Sequence, residues 1–155
     1  MFTWLDRLVE ALLTAVLALL VIIGGAQIVW RFVLNNPLSW AIEVSIILMV
    51  WATMLSGYVG VRRNVHLSAD FAGMSLKPAA RWYLDLVSLL LCGVFVAVYG
   101  WASLVVIDSM EGIPFTSIPV SQPTLYWSLP VSAVLMALAL LDRLWRHVGQ
   151  RPQKV

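Results

Sequence analysis

The sequence predicts an all-α integral membrane protein: four transmembrane helices in an antiparallel, bundle-like arrangement, N-in/C-in. Three observations point to this class. The chain is 61% hydrophobic and 12% charged, with mean hydropathy +0.90, whereas a soluble domain carries about twice that charge. Four long stretches hold no charged residue, and a bilayer core requires about 20 apolar residues per helical span. The basic residues cluster on alternate connections, the pattern that sets membrane orientation.

The uncharged stretches are residues 11–30, 44–61, 86–107 and 112–141. Pro114, Pro119 and Pro123 occupy the first part of the last one, so its helix is expected to begin near Thr124. Spans at about 9–30, 41–61, 84–107 and 124–142 follow, within a single membrane domain, 1–155. Helices are the expected form because a segment in lipid must satisfy its own backbone polar groups. The first span is longer than a signal-peptide core of roughly 7–15 residues. Asp6, Arg7 and Glu10 ahead of it are mixed in charge. It is therefore read as a retained helix.

Arg7 precedes span one, Arg62, Arg63, Lys77 and Arg81 follow span two, and Arg143, Arg146, Arg151 and Lys154 follow span four. With four spans these segments share one side, and they hold nine of the ten basic residues. Arg31 alone lies opposite. That bias predicts both termini in the cytoplasm. Trp30, Trp40 and Trp127 fall near the predicted outer ends, and Trp4, Trp82 and Trp145 near the inner ends, as expected of interfacial indoles. Trp51 and Trp101 lie deeper and are expected to pack.

The connections differ in chemistry. The first turns at Asn35-Asn36-Pro37. The second includes Pro78, after which helix three starts early or the chain lies along the interface. The third is proline-rich and apolar, with Ile113, Phe115, Ile118 and Val120.

No ionisable residue interrupts the uncharged cores. Such residues usually mark ion or proton pathways, so the chain is poorly equipped to move a charged substrate alone. His66 and His147 lie outside the spans, which disfavours haem binding, and the lone Cys92 excludes paired-thiol chemistry. No cofactor or metal is expected. Small residues four apart could form packing seams: Ala11 and Ala15, Ser56 and Gly60, Gly93 and Ala97, Ala133 and Ala137. Pro130 is a candidate kink in span four.

Two charge constellations stand out. Arg31 and Glu43 flank the first turn and are placed either to pair across it or to meet a partner subunit at the outer face. Arg62 and Arg63 end span two, where lipid phosphates suffice to explain them. His66 and Asp70, four apart, form a helical pair or anchor the loop to another chain. One His and one Asp make an improbable metal site.

The run Arg31-Phe32-Val33-Leu34-Asn35, Leu38-Ser39-Trp40, Glu43, Trp51, Val61-Arg62-Arg63, His66-Leu67 and Asp70 resembles the small permease subunit (DctQ-like) of tripartite ATP-independent periplasmic (TRAP) transporters. Ile118-Pro119, Tyr126, Leu129-Pro130-Val131 and Leu135-Met136 look like the same family's fourth-helix signature. The resemblance covers nearly the whole chain. Ile42-Glu43 departs from the family's frequent acid pair, and Leu67 from its frequent β-branched residue.

The resemblance implies a non-catalytic small membrane subunit of a secondary, sodium-gradient-driven transporter for carboxylate-type solutes. Such a subunit sits in the bacterial inner membrane, scaffolds the large permease subunit and helps dock the periplasmic solute-binding protein. Membrane lipids complete the expected partners, and nucleic acid is not among them. The partner or structural candidates are Arg31, Trp40, Glu43, Arg62, Arg63, His66, Asp70, Phe115, Pro119 and Pro130. Two rivals remain: a glutathione-dependent four-helix membrane transferase, and a standalone membrane adaptor.

Overall fold

A computed structural model of the chain describes residues 3–63 and 78–149. Among these residues the elements are α1 (Thr3–Phe32), α2 (Ser39–Arg62), α3 (Pro78–Ser109), the short α4 (Pro123–Tyr126) and α5 (Ser128–Gly149). Four segments are long and apolar enough to cross a bilayer: α1, α2, α3, and α4 with α5 taken together.

Local chemistry explains the boundaries. The chain leaves α1 through Asn35 at φ 47°, a left-handed conformation that asparagine tolerates better than most residues. Asn36 N–H reaches back to the Trp30 carbonyl at 3.1 Å, and Pro37 cannot continue a helix. Helix α3 does start early, at Pro78, where the missing N–H is one that a first turn leaves unused. The fourth span breaks at Trp127. Pro130 has no N–H to offer the Tyr126 carbonyl four residues back, and the next bond, Val131 N–H to Trp127 O, is stretched to 3.4 Å.

The helices form a row in the order α1, α2, α5, α3. Helix α2 packs on α1 and α5, and α5 packs on α3, while α1 and α3 share no comparable seam. Two apolar clusters fill the row. Val9, Leu55, Tyr58 and Ala139 bury the joint of α1, α2 and α5, and Leu89, Val96, Ala133 and Leu140 bury that of α3 and α5. The Tyr99 hydroxyl lies 3.0 Å from Met54 Sδ and 3.3 Å from Ser132 Oγ, so α3 meets both α2 and α5 at mid-span. The Ser132 hydroxyl itself donates to the Leu129 carbonyl, 2.8 Å away.

Two tight helix approaches involve glycines outside the expected small-residue pairs. A Cβ on Gly57 would run into Met136 Cε, and one on Gly100 would lie 3.2 Å from Ala133 Cβ. Ala133 is buried as expected, but Ala11 and Ala15 face outward, and a Cβ on Gly93 would meet nothing within 4 Å. A helix that is apolar all round does not reveal which face meets a neighbour. Trp101 is a second correction: it is 71% exposed on α3 and does not pack within the row. Trp51 instead donates its indole N–H to the Thr124 carbonyl at 3.3 Å.

Candidate functional site

Polar groups concentrate at the two ends of the helices. At one end, the start of α1 meets the finish of α2 and of α5. Arg62 Nε donates to Asp6 Oδ1 at 2.7 Å, Arg62 Nη2 pairs with Asp6 Oδ2, and Arg62 Nη1 donates to Asp142 Oδ2 at 2.7 Å. Tyr58, one turn before Arg62, donates its hydroxyl to Asp6 Oδ1 at 2.6 Å. Arg146, one turn after Asp142, donates to it at 2.8 Å. A planar guanidinium suits this role because it can bond along two edges at once. The Asp142 side chain is only 7% exposed, against 20% for Arg62 and 26% for Asp6.

Arg63 turns outward and pairs with Glu10 at 2.7 Å, with both side chains well exposed. A cleft of about 260 Å³ runs between Asp6, Glu10, Tyr58, Arg62, Arg63 and Arg146. Three arginines facing Asp6, Glu10 and Asp142 leave no net charge to attract an anion. The arrangement therefore joins helices. Lipid phosphates do not suffice to explain Arg62 and Arg63, because both are bonded to carboxylates of this chain.

The same end ties α3 to α5. Trp82 Nε1 donates to the His147 carbonyl at 3.3 Å, and His147 Nε2 lies 3.1 Å from the Trp82 carbonyl. A carbonyl only accepts, so this contact places a proton on Nε2. The two rings stack 5.1 Å apart.

At the opposite end, Glu43 on α2 faces the 110–122 connection. Its Oε1 accepts N–H bonds from Thr116 at 2.9 Å and Ser117 at 3.0 Å, and its Oε2 accepts from Ser117 at 2.9 Å. The connection is a small hairpin. Phe115 N–H bonds Val120 O at 3.0 Å, Gln122 N–H bonds Ile113 O at 2.9 Å, and Pro114 bridges Ser121. Glu43 therefore does not pair with Arg31, whose guanidinium lies 5.7 Å from the Phe32 ring centre. Two backbone N–H groups at a tight turn aim at one point more rigidly than a long arginine side chain held across a loop.

The expected candidates thus separate. Trp40 is exposed on the first turn of α2, beside Glu43. Phe115 is half-buried and Pro119 exposed in the hairpin, and Pro130 lines an apolar groove between α3 and α5. Arg62 and Arg63 belong to the opposite end, while His66 and Asp70 lie outside the described residues. Sequence reasoning missed Asp6, Glu10, Tyr58, Trp82, Asp142, Arg146 and His147. A usable signal existed: Asp6 and Asp142 lie just outside uncharged spans, at the end where the arginines gather. Among the described residues no group of three or more His, Cys, Asp or Glu is placed to hold a metal ion.

Residues 20–150 match the family described as tripartite ATP-independent periplasmic transporters, DctQ component. A putative TRAP transporter small permease protein of Haemophilus influenzae is 22% identical over 91% of this chain and 88% of its own length. The sialic acid TRAP transporter small permease protein SiaQ of Vibrio cholerae is 23% identical over 91% of this chain and 82% of its own. The C4-dicarboxylate TRAP transporter small permease protein DctQ of Vibrio cholerae is 24% identical over 48% of this chain, a match spanning about a third (32%) of that relative.

Proposed function

The chain belongs to the DctQ-component family of tripartite ATP-independent periplasmic transporters, and from that premise we propose that it is the small scaffold subunit of such a transporter. It is a multi-pass membrane component of a transport system, not an enzyme. In the proposed assembly it packs against a large permease subunit that moves the solute. It also helps a periplasmic solute-binding protein dock at the Glu43 end. The solute is of carboxylate type and the driving force a sodium gradient, as the family resemblance implies.

One observation carries the scaffold reading. Among the described residues the ion pairs lie at the ends of the spans, and three of them join helix to helix, while the uncharged cores offer no charged group along a path. Apolar side chains cover the outward faces of α1 and α3, including Val21, Ile22, Leu91 and Phe95. Such faces suit lipid and a membrane partner. The proposed orientation puts the Arg62 end in the cytoplasm, following the basic-residue bias.

Purification of the tagged chain from its native membrane tests the assembly. A large membrane partner is expected to copurify, and deletion of the chain is expected to abolish solute uptake. Recovery of the chain alone, with uptake intact in the deletion strain, would overturn the proposal. For orientation, a cysteine replacing Ser117 is expected to react with an impermeant thiol reagent added outside spheroplasts.

A further inference from the structure

Glu43 spends its carboxylate on the loop rather than presenting it to a partner. Both oxygens are engaged by the N–H groups of Thr116 and Ser117. Those two N–H groups sit at the hairpin tip, beyond the bonds that join Phe115 to Val120 and Gln122 to Ile113. The foot of the hairpin is held separately, where Trp51 donates to the Thr124 carbonyl. The hairpin is thus fixed at its foot by α2 and at its tip by Glu43 of the same helix.

The remainder of the hairpin has little to hold it. Residues 112–122 contain no charge and no cysteine, and a lone two-stranded hairpin is marginal in water. Its ladder is a few bonds long, so charge-assisted bonds at the tip weigh heavily on its conformation. Ile113 and Pro119 are exposed on it, with Ile118 and Phe115 half-buried. An uncharged apolar surface held in one shape loses little solvation and little conformational freedom when a protein docks on it.

We propose that Glu43 is a positioning residue, which clasps the tip of the 113–122 hairpin and so pre-organises the surface that receives the solute-binding protein. The proposal rests on the docking part of the function proposed above. Glu43 does not touch the binding protein. It raises the fraction of the chain whose hairpin is ready to be bound, and apparent affinity scales with that fraction.

The test uses the whole transporter in nanodiscs, titrated with its own fluorescently labelled solute-binding protein. Glu43→Ala, Glu43→Gln and the tip variant Ile118→Glu are compared with the parent, together with recovery of the large subunit and backbone hydrogen exchange over 113–122. Glu43→Ala is expected to raise the half-saturating concentration about tenfold, as when the competent fraction falls to about a tenth. Exchange should quicken in the hairpin and not in the spans, and recovery of the large subunit should be unchanged. Glu43→Gln keeps one carbonyl acceptor and is expected to lie between. If Ile118→Glu weakens binding while both Glu43 variants bind as the parent does, the clasp proposal fails and the docking reading stands. If none of the three weakens binding, the docking reading fails and the clasp proposal with it. Loss of the large subunit from Glu43→Ala would make Glu43 an assembly residue and overturn the proposal.

Discussion

Arg62 on α2 and Asp142 on α5 meet at 2.7 Å, and the other edge of the same guanidinium holds Asp6 on α1. One side chain thereby ties together three helices whose seams are otherwise largely apolar. In lipid, burial of apolar surface does not drive helix against helix, so close packing and polar ties such as this one hold the helices together.

Removing Asp142 takes one of two carboxylates from Arg62 and a carboxylate from the exposed Arg146. Asp142→Asn is expected to lower stability by about 1–3 kcal/mol, less than stranding a buried charge costs, because Arg62 keeps Asp6 and Arg146 is exposed. Asp6→Asn should cost less, because Asp6 is the more exposed of the two carboxylates. Thermal unfolding of the purified chain in one detergent checks the ranking, and equal shifts for the two variants would contradict it.

The neighbouring pair behaves differently. Arg63 and Glu10 are 64% and 44% exposed, so water and salt screen them. Arg63→Ala should change stability by less than about 1 kcal/mol. A loss as large as that of Asp142→Asn would mean that exposure misjudges this pair.

Gly57 tests the seam between α2 and α5. An added Cβ would meet the flexible end of Met136, which can swing aside. Gly57→Ala should therefore be mild, and Gly57→Val should lower the melting temperature clearly. Overpacking of this kind costs about 1–3 kcal/mol. Met136→Ala combined with Gly57→Val should recover part of the loss, as read by the same thermal assay. A double variant no better than Gly57→Val would place the strain elsewhere.

A charge swap separates two accounts of the opposite end. Because Glu43 binds Thr116 and Ser117 rather than Arg31, Arg31→Glu combined with Glu43→Arg should be no better than Glu43→Arg alone. Solute uptake by the assembled transporter is the measure. Restoration by the swap would reinstate an Arg31–Glu43 pair.

Much of the fold is legible from residue order. The uncharged runs mark the helices, Asn35-Asn36-Pro37 marks the first turn, and Pro123 and Pro130 mark the irregular start of the fourth span. The candidate site was legible in part. Glu43 stood out as an acid beside an outer turn, but its partners are backbone N–H groups of Thr116 and Ser117, 73 and 74 residues away. Backbone donors carry no signature in the residue names. Arg62 was visible too, yet Asp6 and Asp142 reach it only once α1 and α5 lie on either side of α2.

The sequence by itself therefore determined the solvent, the number of spans and the family resemblance. Each depends on local quantities: the length of an apolar run, the placement of prolines, the order of a few motif residues. The tertiary structure alone decided that the helices lie in the row α1, α2, α5, α3, that Gly57 and Gly100 form the tight seams, and that Glu43 serves the hairpin. These depend on which face of each helix turns toward which neighbour. Helices apolar on every side fit lipid equally well in any rotation, so only the closeness of packing and the few polar groups at their ends could select one.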